Sequence, residues 1–363
     1  MCRGSSLRSP LLQSAVMTRL APVLDAAAPR RPSFGTGPTL ALDLGGTYLR
    51  TAVVDADGTV LARRHVPTPV AQGADDVVAR CLATLRDTLA EHAAAGGEDP
   101  LALGISAPGP LDPRRGVLID PPNLGPTFRD FPLAPRLSQG LDMPAVLERD
   151  THVAALAEGR FGAAVGLTDY LYLTVSTGLG GAVVTGGRLM TGPDGMAGEL
   201  GHMTVDMNGL ECGCGALGHL ERYASGSGIA RSAREALAAG RDAPILEAIA
   251  RSISPRPLEG VHVAAAEDAG DPLAGELMEL SRQAFAAAMI SFVDVFDPQR
   301  IIVGGGAAAG QGERLLGPAR DAVARLAFRA QAARVDIVPA ALGDDVGLIG
   351  TVPLVAMALP LTT

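Results

Sequence analysis

The sequence predicts an α/β fold made of two similar lobes with a cleft between them. The length of 363 residues suits two domains, and hydrophobic residues make up 47% of the chain, enough to bury two cores. One order of elements also occurs twice: a buried strand, a glycine-rich turn, a hairpin, a further strand and a helix. We expect the loops of the two units to face each other across the cleft.

The first unit combines short apolar runs, which predict buried strands, with stretches at helical spacing. An Asp57-Gly58 pair marks the turn of its hairpin. In chain order we expect a strand over 39–44, a hairpin of 50–54 and 60–65, a helix over 75–92, strands over 101–105 and 145–148, and a helix over 151–161.

The second unit repeats this order and adds helices. We expect strands over 170–175, 182–185 and 188–190, helices after a cysteine-containing loop, a long helix over 272–296, strands over 300–303 and 336–338, and a closing helix over 347–358. The predicted domains are an N-terminal lobe of residues 39–150, completed by the C-terminal helix 346–363, and a C-terminal lobe of residues 151–345.

Composition limits the cellular location that we expect for the protein and the classes of partner that it can bind. The formal net charge of −9 argues against a protein that binds nucleic acid through its overall field. No apolar stretch reaches the roughly 20 residues needed to span a bilayer, which predicts no membrane partner. The start of the chain lacks the apolar core of a secretory signal, so we expect a cytoplasmic protein. Residues 1–38 are predicted to be a disordered leader, and Met17 is a second candidate start.

Two glycine-rich loops occupy matching places in the two units, each directly after a buried strand. Glycines let backbone N–H groups approach phosphate oxygens closely, and a carboxylate at the strand end can hold Mg²⁺ or its water. One such loop alone is commonly a plain hairpin turn, but two at equivalent positions predict a phosphate site. The candidate residues are Asp43, Gly45, Gly46 and Thr47 in the first loop and Ser176, Thr177, Gly178 and Gly180 in the second.

A third glycine run, Gly304, Gly305 and Gly306, follows the strand predicted over 300–303. It fits either a strand-to-helix turn or a place where a nucleotide lies against the backbone. None of the three loops matches the Walker pattern G-x-x-x-x-G-K-[ST].

Together these motifs resemble the ROK family (repressor, open reading frame, kinase) from about Thr39 to the C-terminus. The first loop with Arg50 resembles the family's first phosphate motif, the second loop its second, and residues 302–306 its adenosine-side motif. The resemblance implies an actin-like ATPase fold of two ribonuclease-H-like lobes. It also implies a glucokinase-like enzyme that uses ATP and Mg²⁺ to phosphorylate a hexose or hexose derivative, and that is commonly a homodimer.

Asp150 lies between the strand predicted over 145–148 and the helix predicted to start at Thr151, a position that suits a helix N-cap. The resemblance implies a catalytic role instead, because the family's general base stands at this position. A carboxylate there would accept the proton of the sugar hydroxyl.

Four potential zinc ligands lie in one loop, residues 202–221: His202, Cys212, Cys214 and His219. Zinc prefers four such ligands in a tetrahedron, and a site with no open position is structural. The alternative is two free thiols beside two unrelated histidines. The loop resembles the ROK motif GH…C-x-C-G-x-x-G-C-x-E, except that His219 replaces the last cysteine, so we expect a structural Cys₂His₂ Zn²⁺ site.

The resemblance also implies the residues that bind the sugar. They are Gly109, Asn123, Asp150, Glu199, His202 and Glu221. Arg149 is a departure, since the family usually has Asn immediately before the catalytic Asp. Arg has five donors and no acceptor, so it cannot copy every contact of Asn. We expect Arg149 to enter the cleft, pair with Glu199 or Glu221 and shift the sugar range, whereas the alternative is an arginine that turns to solvent.

Two other functions stay open. The ROK family includes sugar-responsive transcription regulators, but we expect an enzyme because few residues precede the first strand and Asp150 is present. A non-catalytic sugar-binding protein is the remaining alternative. The sequence leaves open which sugar is used, and whether polyphosphate replaces ATP.

Overall fold

The computed structural model describes residues 37–359, which lie within one compact unit. The predicted leader, apart from positions 37 and 38, and the candidate start at Met17 lie outside the described residues, as does the stretch 360–363 of the predicted C-terminal helix. Across 37–359 there is no helix with the length and apolar character needed to cross a membrane.

The first sheet contains five strands in the order β3-β2-β1-β4-β7. The first seven strands of the chain are β1 (Thr39–Leu44), β2 (Tyr48–Val54), β3 (Val60–Pro67), β4 (Leu103–Ala107), β5 (Leu111–Asp112), β6 (Val117–Leu118) and β7 (Ala145–Arg149). Strand β1 is antiparallel to β2 and parallel to β4, and β4 is parallel to β7, while β5 and β6 form a separate hairpin. The carboxyl ends of β1, β4 and β7 therefore meet at one edge of the sheet.

The second sheet repeats this arrangement in the order β10-β9-β8-β11-β12. Its strands are β8 (Tyr170–Val175), β9 (Leu179–Thr185), β10 (Arg188–Leu189), β11 (Arg300–Gly304) and β12 (Asp336–Pro339). Strand β8 is antiparallel to β9 and parallel to β11, which is in turn parallel to β12. The prediction of two similar α/β units is confirmed.

Helices cover the sheets and fill the second half of the chain. They are α1 (Ala74–Ala94), α2 (Leu133–Leu141), α3 (Asp150–Phe161), α4 (Leu220–Ala224), α5 (Gly226–Ala238), α6 (Pro244–Ile253), α7 (Gly260–Asp268), α8 (Pro272–Phe296), α9 (Gly306–Gln311), α10 (Glu313–Leu326), α11 (Arg329–Ala332), α12 (Val346–Ile349) and α13 (Thr351–Ala358). Each sheet has its own apolar core, packed against α1 and α2 in the first case and against α8 and α10 in the second.

The chain crosses twice between the two sheets. Helix α3 follows β7 of the first sheet and packs against β8 and β9 of the second. The loop after β12 then leads back to α12 and α13, which pack against β1 and β4 of the first sheet and against α3. Leu348 and Val352 join Ala41, Ala52 and Val54 in one buried cluster. Residues 346–358 therefore pack with the first sheet, although the lobe boundaries themselves stay a prediction.

One local prediction is wrong, and one alternative does not hold. The closing helix expected over 347–358 is interrupted at Gly350, where a Cβ would lie 2.1 Å from the carbonyl oxygen of Val153. Glycine is required there because the chain approaches α3 so closely. Asp150 is not an N-cap: the cap residue is Arg149, in extended conformation, and Asp150 is the first residue of α3.

Candidate active site

The first glycine loop is held by close backbone contacts. A Cβ on Gly46 would lie 2.5 Å from the carbonyl oxygen of Asn123, and a Cβ on Gly45 would lie 2.9 Å from that of Tyr48. The carbonyl of Thr47 accepts a hydrogen bond from the backbone N–H of Thr68, 2.9 Å away. Larger residues would clash at both positions, so packing alone requires glycine there. The close approach also places the predicted sugar-side residue Asn123 against the loop.

Asp43, at the end of β1, is already hydrogen-bonded. Arg50 Nε donates to Asp43 Oδ2 at 3.0 Å, and Ser106 Oγ donates to Oδ1 at 2.8 Å. Arg50 Nη1 reaches the carbonyl oxygen of Asp344 at 2.5 Å, on the loop that returns from the second sheet. Arg50 therefore ties the first loop to that return loop.

The second glycine loop has two of its backbone N–H groups engaged by the protein itself. The N–H of Leu179 donates to Glu221 Oε2 at 3.0 Å, and that of Ser176 donates to the carbonyl of Gly178 at 2.9 Å. A Cβ on Gly180 would lie 2.9 Å from Cγ2 of Thr151, so this loop lies against the start of α3. The loop is positioned between the candidate zinc loop and the helix that carries Asp150.

The third glycine run lies against the end of β8, immediately before the second loop. Gly305 has a φ of 93°, and a Cβ on it would lie 2.5 Å from the carbonyl oxygen of Val175, so that only glycine fits. A cavity of about 400 Å³ opens here. Its lining includes Arg50 beside the first loop, Ser176 of the second, Gly304, Gly305 and Gly306, and three residues that the sequence analysis missed, Tyr172, Thr174 and Asp344. Ser176 and the third glycine run thus share one cavity with Arg50, whereas the first-loop residues Asp43, Gly45, Gly46 and Thr47 do not line it.

Asp150 is accessible from the cleft, and Thr151 N–H donates to its Oδ1 at 2.7 Å. The surrounding cleft walls withdraw solvent from the carboxyl and raise the pKa of Asp150 to about 6, with the Thr151 N–H opposing the rise and the charge of Asp43 adding to it. A carboxylate with this pKa is ionised at neutral pH and still basic enough to accept a proton.

Arg149 points into the protein rather than to solvent, with 3% of the residue exposed. Its guanidinium forms an ion pair with Glu199 and hydrogen bonds to His152 and to the carbonyl of Ala197. Gly109, predicted at the sugar side, is adjacent, because a Cβ there would lie 3.1 Å from Arg149 Cδ. The predicted pairing of Arg149 with Glu199 is confirmed.

His152 and Glu148 extend this network below the cleft. Because Arg149 can only donate, His152 Nε2 must accept, which leaves the proton on Nδ1 to be donated to Glu148 Oε1 at 3.0 Å. Arg149 N–H also donates to Glu148 Oε1, at 2.9 Å, whereas Arg149 Nε is buried without a partner among the described residues. The arginine is thus fixed between two carboxylates.

The four predicted zinc ligands lie together, with one ligand atom from each all within 4.8 Å of one another. His202 Nδ1 is 3.0 Å from His219 Nδ1, and Cys214 Sγ is 3.3 Å from the same atom. A tetrahedral zinc ion with bonds of about 2.0–2.3 Å has ligand atoms roughly 3.5 Å apart, so the donor set and its spacing fit the metal. Cys212 completes the set of two thiols and two imidazoles.

Comparisons with known proteins identify the fold and its relatives. The sequence pattern that defines the ROK family matches residues 39–358. A glucokinase of Streptomyces coelicolor is 34% identical over 321 residues, 88% of this chain and 97% of that protein. An N-acetylmannosamine kinase of Escherichia coli is 36% identical over 313 residues, 86% of this chain and 96% of that protein. The crystal structure of a ROK family glucokinase from Streptomyces griseus, in complex with glucose and AMPPNP, is 34% identical, covers 88% of this chain and 99% of its own, and superposes with a TM-score of 0.71.

Proposed function

This chain belongs to the ROK family, has the actin-like ATPase fold and is an ATP-dependent sugar kinase, and we propose that Asp150 is the general base that accepts the proton of a hexose hydroxyl as the γ-phosphoryl group of ATP passes to that hydroxyl. The observation that carries the proposal is the position of Asp150. It begins α3 beside the second glycine loop, whose Ser176 lines one cavity with Arg50 and the third glycine run. The expectation of a sugar kinase is confirmed by the comparisons.

In the proposed reaction a sugar hydroxyl oxygen bonds to the γ-phosphorus as the bond from that phosphorus to the β-phosphate oxygen breaks. Asp150 accepts the hydroxyl proton, and ADP leaves with the electrons of the broken bond. The transition state is loose, so the enzyme contributes mainly by positioning groups and neutralising charge. The pKa of Asp150 at about 6 suits this proton transfer.

The nucleotide would occupy the cavity lined by Ser176 and the run Gly304–Gly306, with its phosphates toward the first and second loops. Backbone N–H groups that the protein does not itself engage, and Arg50, are the donors available to the phosphate oxygens. Asp43 is the carboxylate that would hold Mg²⁺ or its water, and Mg²⁺ supplies charge neutralisation on the phosphates.

The sugar would lie on the opposite side of Asp150. Glu199 is half-exposed and keeps one oxygen free of Arg149, so it can accept a hydroxyl hydrogen bond. We assign Gly109, Asn123, His202 and Glu221 to the same side, on the resemblance to the family. Among them Glu221 has a second task, since it holds the N–H of Leu179 in the second loop.

We also propose a structural Zn²⁺ held by His202, Cys212, Cys214 and His219, on the basis of the donor set and its spacing. The metal would fix the loop that ends at Glu221. A cytoplasmic homodimer that does not bind nucleic acid remains our proposal for the state in the cell. A transcription regulator is the second candidate, and a gel shift with DNA upstream of the gene tests it.

The function is tested by a coupled ADP-release screen over glucose, mannose, fructose, allose and the N-acetylhexosamines, since the relatives include glucokinases and N-acetylmannosamine kinases. Polyphosphate should be offered as an alternative donor. We expect sugar-dependent ADP release with at least one sugar, and loss of that release in Asp150→Asn. ATP turnover that no sugar stimulates would contradict the proposal.

A further inference from the structure

Glu158 is a fully buried carboxylate near the end of α3, eight residues after Asp150. Burying such a group is costly unless its oxygens are hydrogen-bonded. Glu158 meets this need with backbone groups. Its Oε2 accepts from the N–H of Ala163 at 2.6 Å, and its Oε1 accepts from those of Ala341 at 2.9 Å and Leu342 at 3.1 Å.

The two ends of this contact belong to the two connections between the sheets. Glu158 lies on α3, which leads from the first sheet to the second, whereas Ala341 and Leu342 lie in the loop that leads from β12 back to α12. One carboxylate thus links α3 to the loop between β12 and α12 by hydrogen bonds, although the two are more than 180 residues apart in sequence.

The returning loop is also a wall of the nucleotide cavity. Ala340, Gly343 and Asp344 all line that cavity, on either side of the two residues that Glu158 holds. The carbonyl of Asp344 accepts from Arg50, which in turn pairs with Asp43 in the first loop. The position of this wall relative to α3 therefore depends on the hydrogen bonds to Glu158.

We propose that Glu158 is a positioning residue for the nucleotide: by holding Ala341 and Leu342, its carboxylate anchors the loop that forms one wall of the cavity to the helix that carries Asp150 at its other end. The inference rests on the proposed function of the cavity and of Asp150. The hydrogen bonds of Glu158 would then position both the nucleotide cavity and the helix that carries the general base. Glu158 touches no substrate itself.

The chain offers a matched control in Asp271, which is also buried, with 2% exposed. Its Oδ1 accepts one backbone N–H, from Ala274 at 3.0 Å, and its Oδ2 accepts two, from Ile245 at 3.1 Å and Leu246 at 3.0 Å. Asp271 caps α8, and neither Asp271 nor the residues that donate to it line the cavity. The two carboxylates therefore have the same pattern of donors in different places.

The experiment compares Glu158→Gln with Asp271→Asn. In both variants an amide NH₂ must face a backbone N–H that formerly met an oxygen, so the local cost is alike. We measure the dissociation constant of a non-hydrolysable ATP analogue by calorimetry, the melting temperature, and the kinetic constants for ATP and for the sugar. Nucleotide binding does not depend on which sugar is accepted, so it tests Glu158 even if the sugar screen fails.

We expect Glu158→Gln to weaken nucleotide binding about tenfold, the size of effect expected when one buried hydrogen bond is lost. We also expect it to lower kcat, while the dissociation constant of the sugar alone changes less than twofold. Asp271→Asn should lower the melting temperature but leave nucleotide binding within twofold of wild type. Equal nucleotide affinity in Glu158→Gln and wild type, or equal losses in the two variants, would overturn the proposal.

A wild-type measurement covers the case in which Glu158→Gln does not fold. The amides of Ala163, Ala341 and Leu342 share one acceptor group, so their hydrogen exchange should slow together when the ATP analogue binds. The amides of Ile245 and Leu246, held by Asp271, should exchange at unchanged rates. Nucleotide binding that leaves the first three amides unaffected contradicts the inference.

Discussion

Asp150 shows how a single residue can serve catalysis at some expense of stability. We expect Asp150→Asn to fold and to bind ATP with nearly unchanged affinity, because its only described hydrogen-bond partner is the adjacent Thr151 N–H. The kcat should fall by about 10²- to 10⁴-fold, the usual contribution of a general base. Turnover within tenfold of wild type would remove Asp150 from this role.

Because the pKa of Asp150 is about 6, we expect the activity of the enzyme to fall on the acid side of its pH profile. The ionised form is the base, so kcat/KM should fall as the pH drops through about 6, with a tenfold loss per pH unit below it. A pH profile of the wild type measures this. If the profile stays flat from about pH 7 to about pH 5, where the fold is shown to be intact, another group acts as the base.

The raised pKa of Asp150 also affects the stability of the fold, which it lowers as the pH rises, whereas activity increases. The folded pKa of Asp150 lies above the ordinary value of 3.8, so the folded state binds more protons between these two values and the group's contribution to stability decreases as the pH rises through that window. Asp150→Asn should therefore be more stable than wild type near neutral pH, by about 1 kcal/mol once solvent screening of an accessible carboxylate is allowed for. Urea unfolding at neutral pH and below about pH 4 measures the difference, which should vanish at the lower pH.

Arg149 is the residue through which we expect this chain to differ in sugar preference. Arg149→Asn removes the ion pair to Glu199 and the donor to His152, so the position of Glu199 toward a sugar hydroxyl changes. We expect kcat/KM ratios between sugars to shift by at least tenfold, with the ATP KM within a few-fold. Arg282→Asn, at a buried arginine that pairs with Glu267 elsewhere, is the control. Unchanged ratios across the panel would mean that Arg149 has no part in selecting the sugar.

At the scale of elements, the candidate zinc loop is connected to the second glycine loop. Glu221 follows the predicted ligand His219 by two residues and holds the N–H of Leu179, and the N–H of Gly226, at the start of α5, donates to the carbonyl of Ser176 at 2.8 Å. Displacement of the zinc loop would therefore reach the proposed phosphate site as well as the sugar site.

We expect protein purified without added zinc to contain about one Zn²⁺ per chain. Cys214→Ser should lose the metal, lower the melting temperature and raise the KM for ATP about tenfold, since the second glycine loop loses its anchor. Cys81→Ala, at a buried cysteine of α1, should keep the metal. Metal analysis and kinetics of the two variants decide the matter, and a metal-free wild type with full activity would rule the site out.

The elements that were predicted well are those whose signals are local. Helix α8 has the predicted bounds because Asp271 caps it, accepting from the N–H of Ala274, and proline occupies its first turn. The break at Gly350 was missed although Pro353, which has no N–H for the carbonyl of Ile349, is a local signal for it. The need for glycine at that position could not be predicted, because it comes from the carbonyl of Val153, about 200 residues earlier in the chain. The N-cap alternative for Asp150 does not hold, because composition at a strand–helix junction does not fix which residue first adopts helical angles.

The same distinction holds for the site. Its glycines and the predicted metal ligands stand in recognisable spacings, and the structure brings them together. Tyr172 and Thr174 precede the predicted Ser176 by four and two residues, so the period of two in a strand could have placed all three on one face. Asp344 lines the cavity only because a loop from a distant position meets that strand, and no spacing in the sequence indicates this. The role of Glu158 could not be predicted from the sequence either, because its three backbone partners become neighbours only in the folded chain.

For the whole molecule, the close approach of the C-terminal helices to α3 is the tightest requirement on packing. Gly350→Ala would place a methyl group 2.1 Å from the carbonyl oxygen of Val153, so we expect a loss of about 2–3 kcal/mol in the free energy of unfolding. Gly275→Ala is the control, because Gly275 lies inside α8 with no atom within 4 Å of the added carbon. That variant should gain up to about 1 kcal/mol from helix propensity. Denaturant unfolding measures both, and equal stability of the two variants would contradict the steric argument.

The packing of α12 and α13 on the first sheet also constrains the order of events during synthesis. Leu348 and Val352 cover Ala41, Ala52 and Val54, which leave the ribosome about 300 residues earlier. Until translation reaches that point, one face of the first sheet lacks its apolar cover, and contacts of such long range form slowly. The nascent N-terminal half should therefore depend on chaperones while it waits, and premature termination shortly before residue 346 should yield chains that aggregate rather than a stable half-molecule.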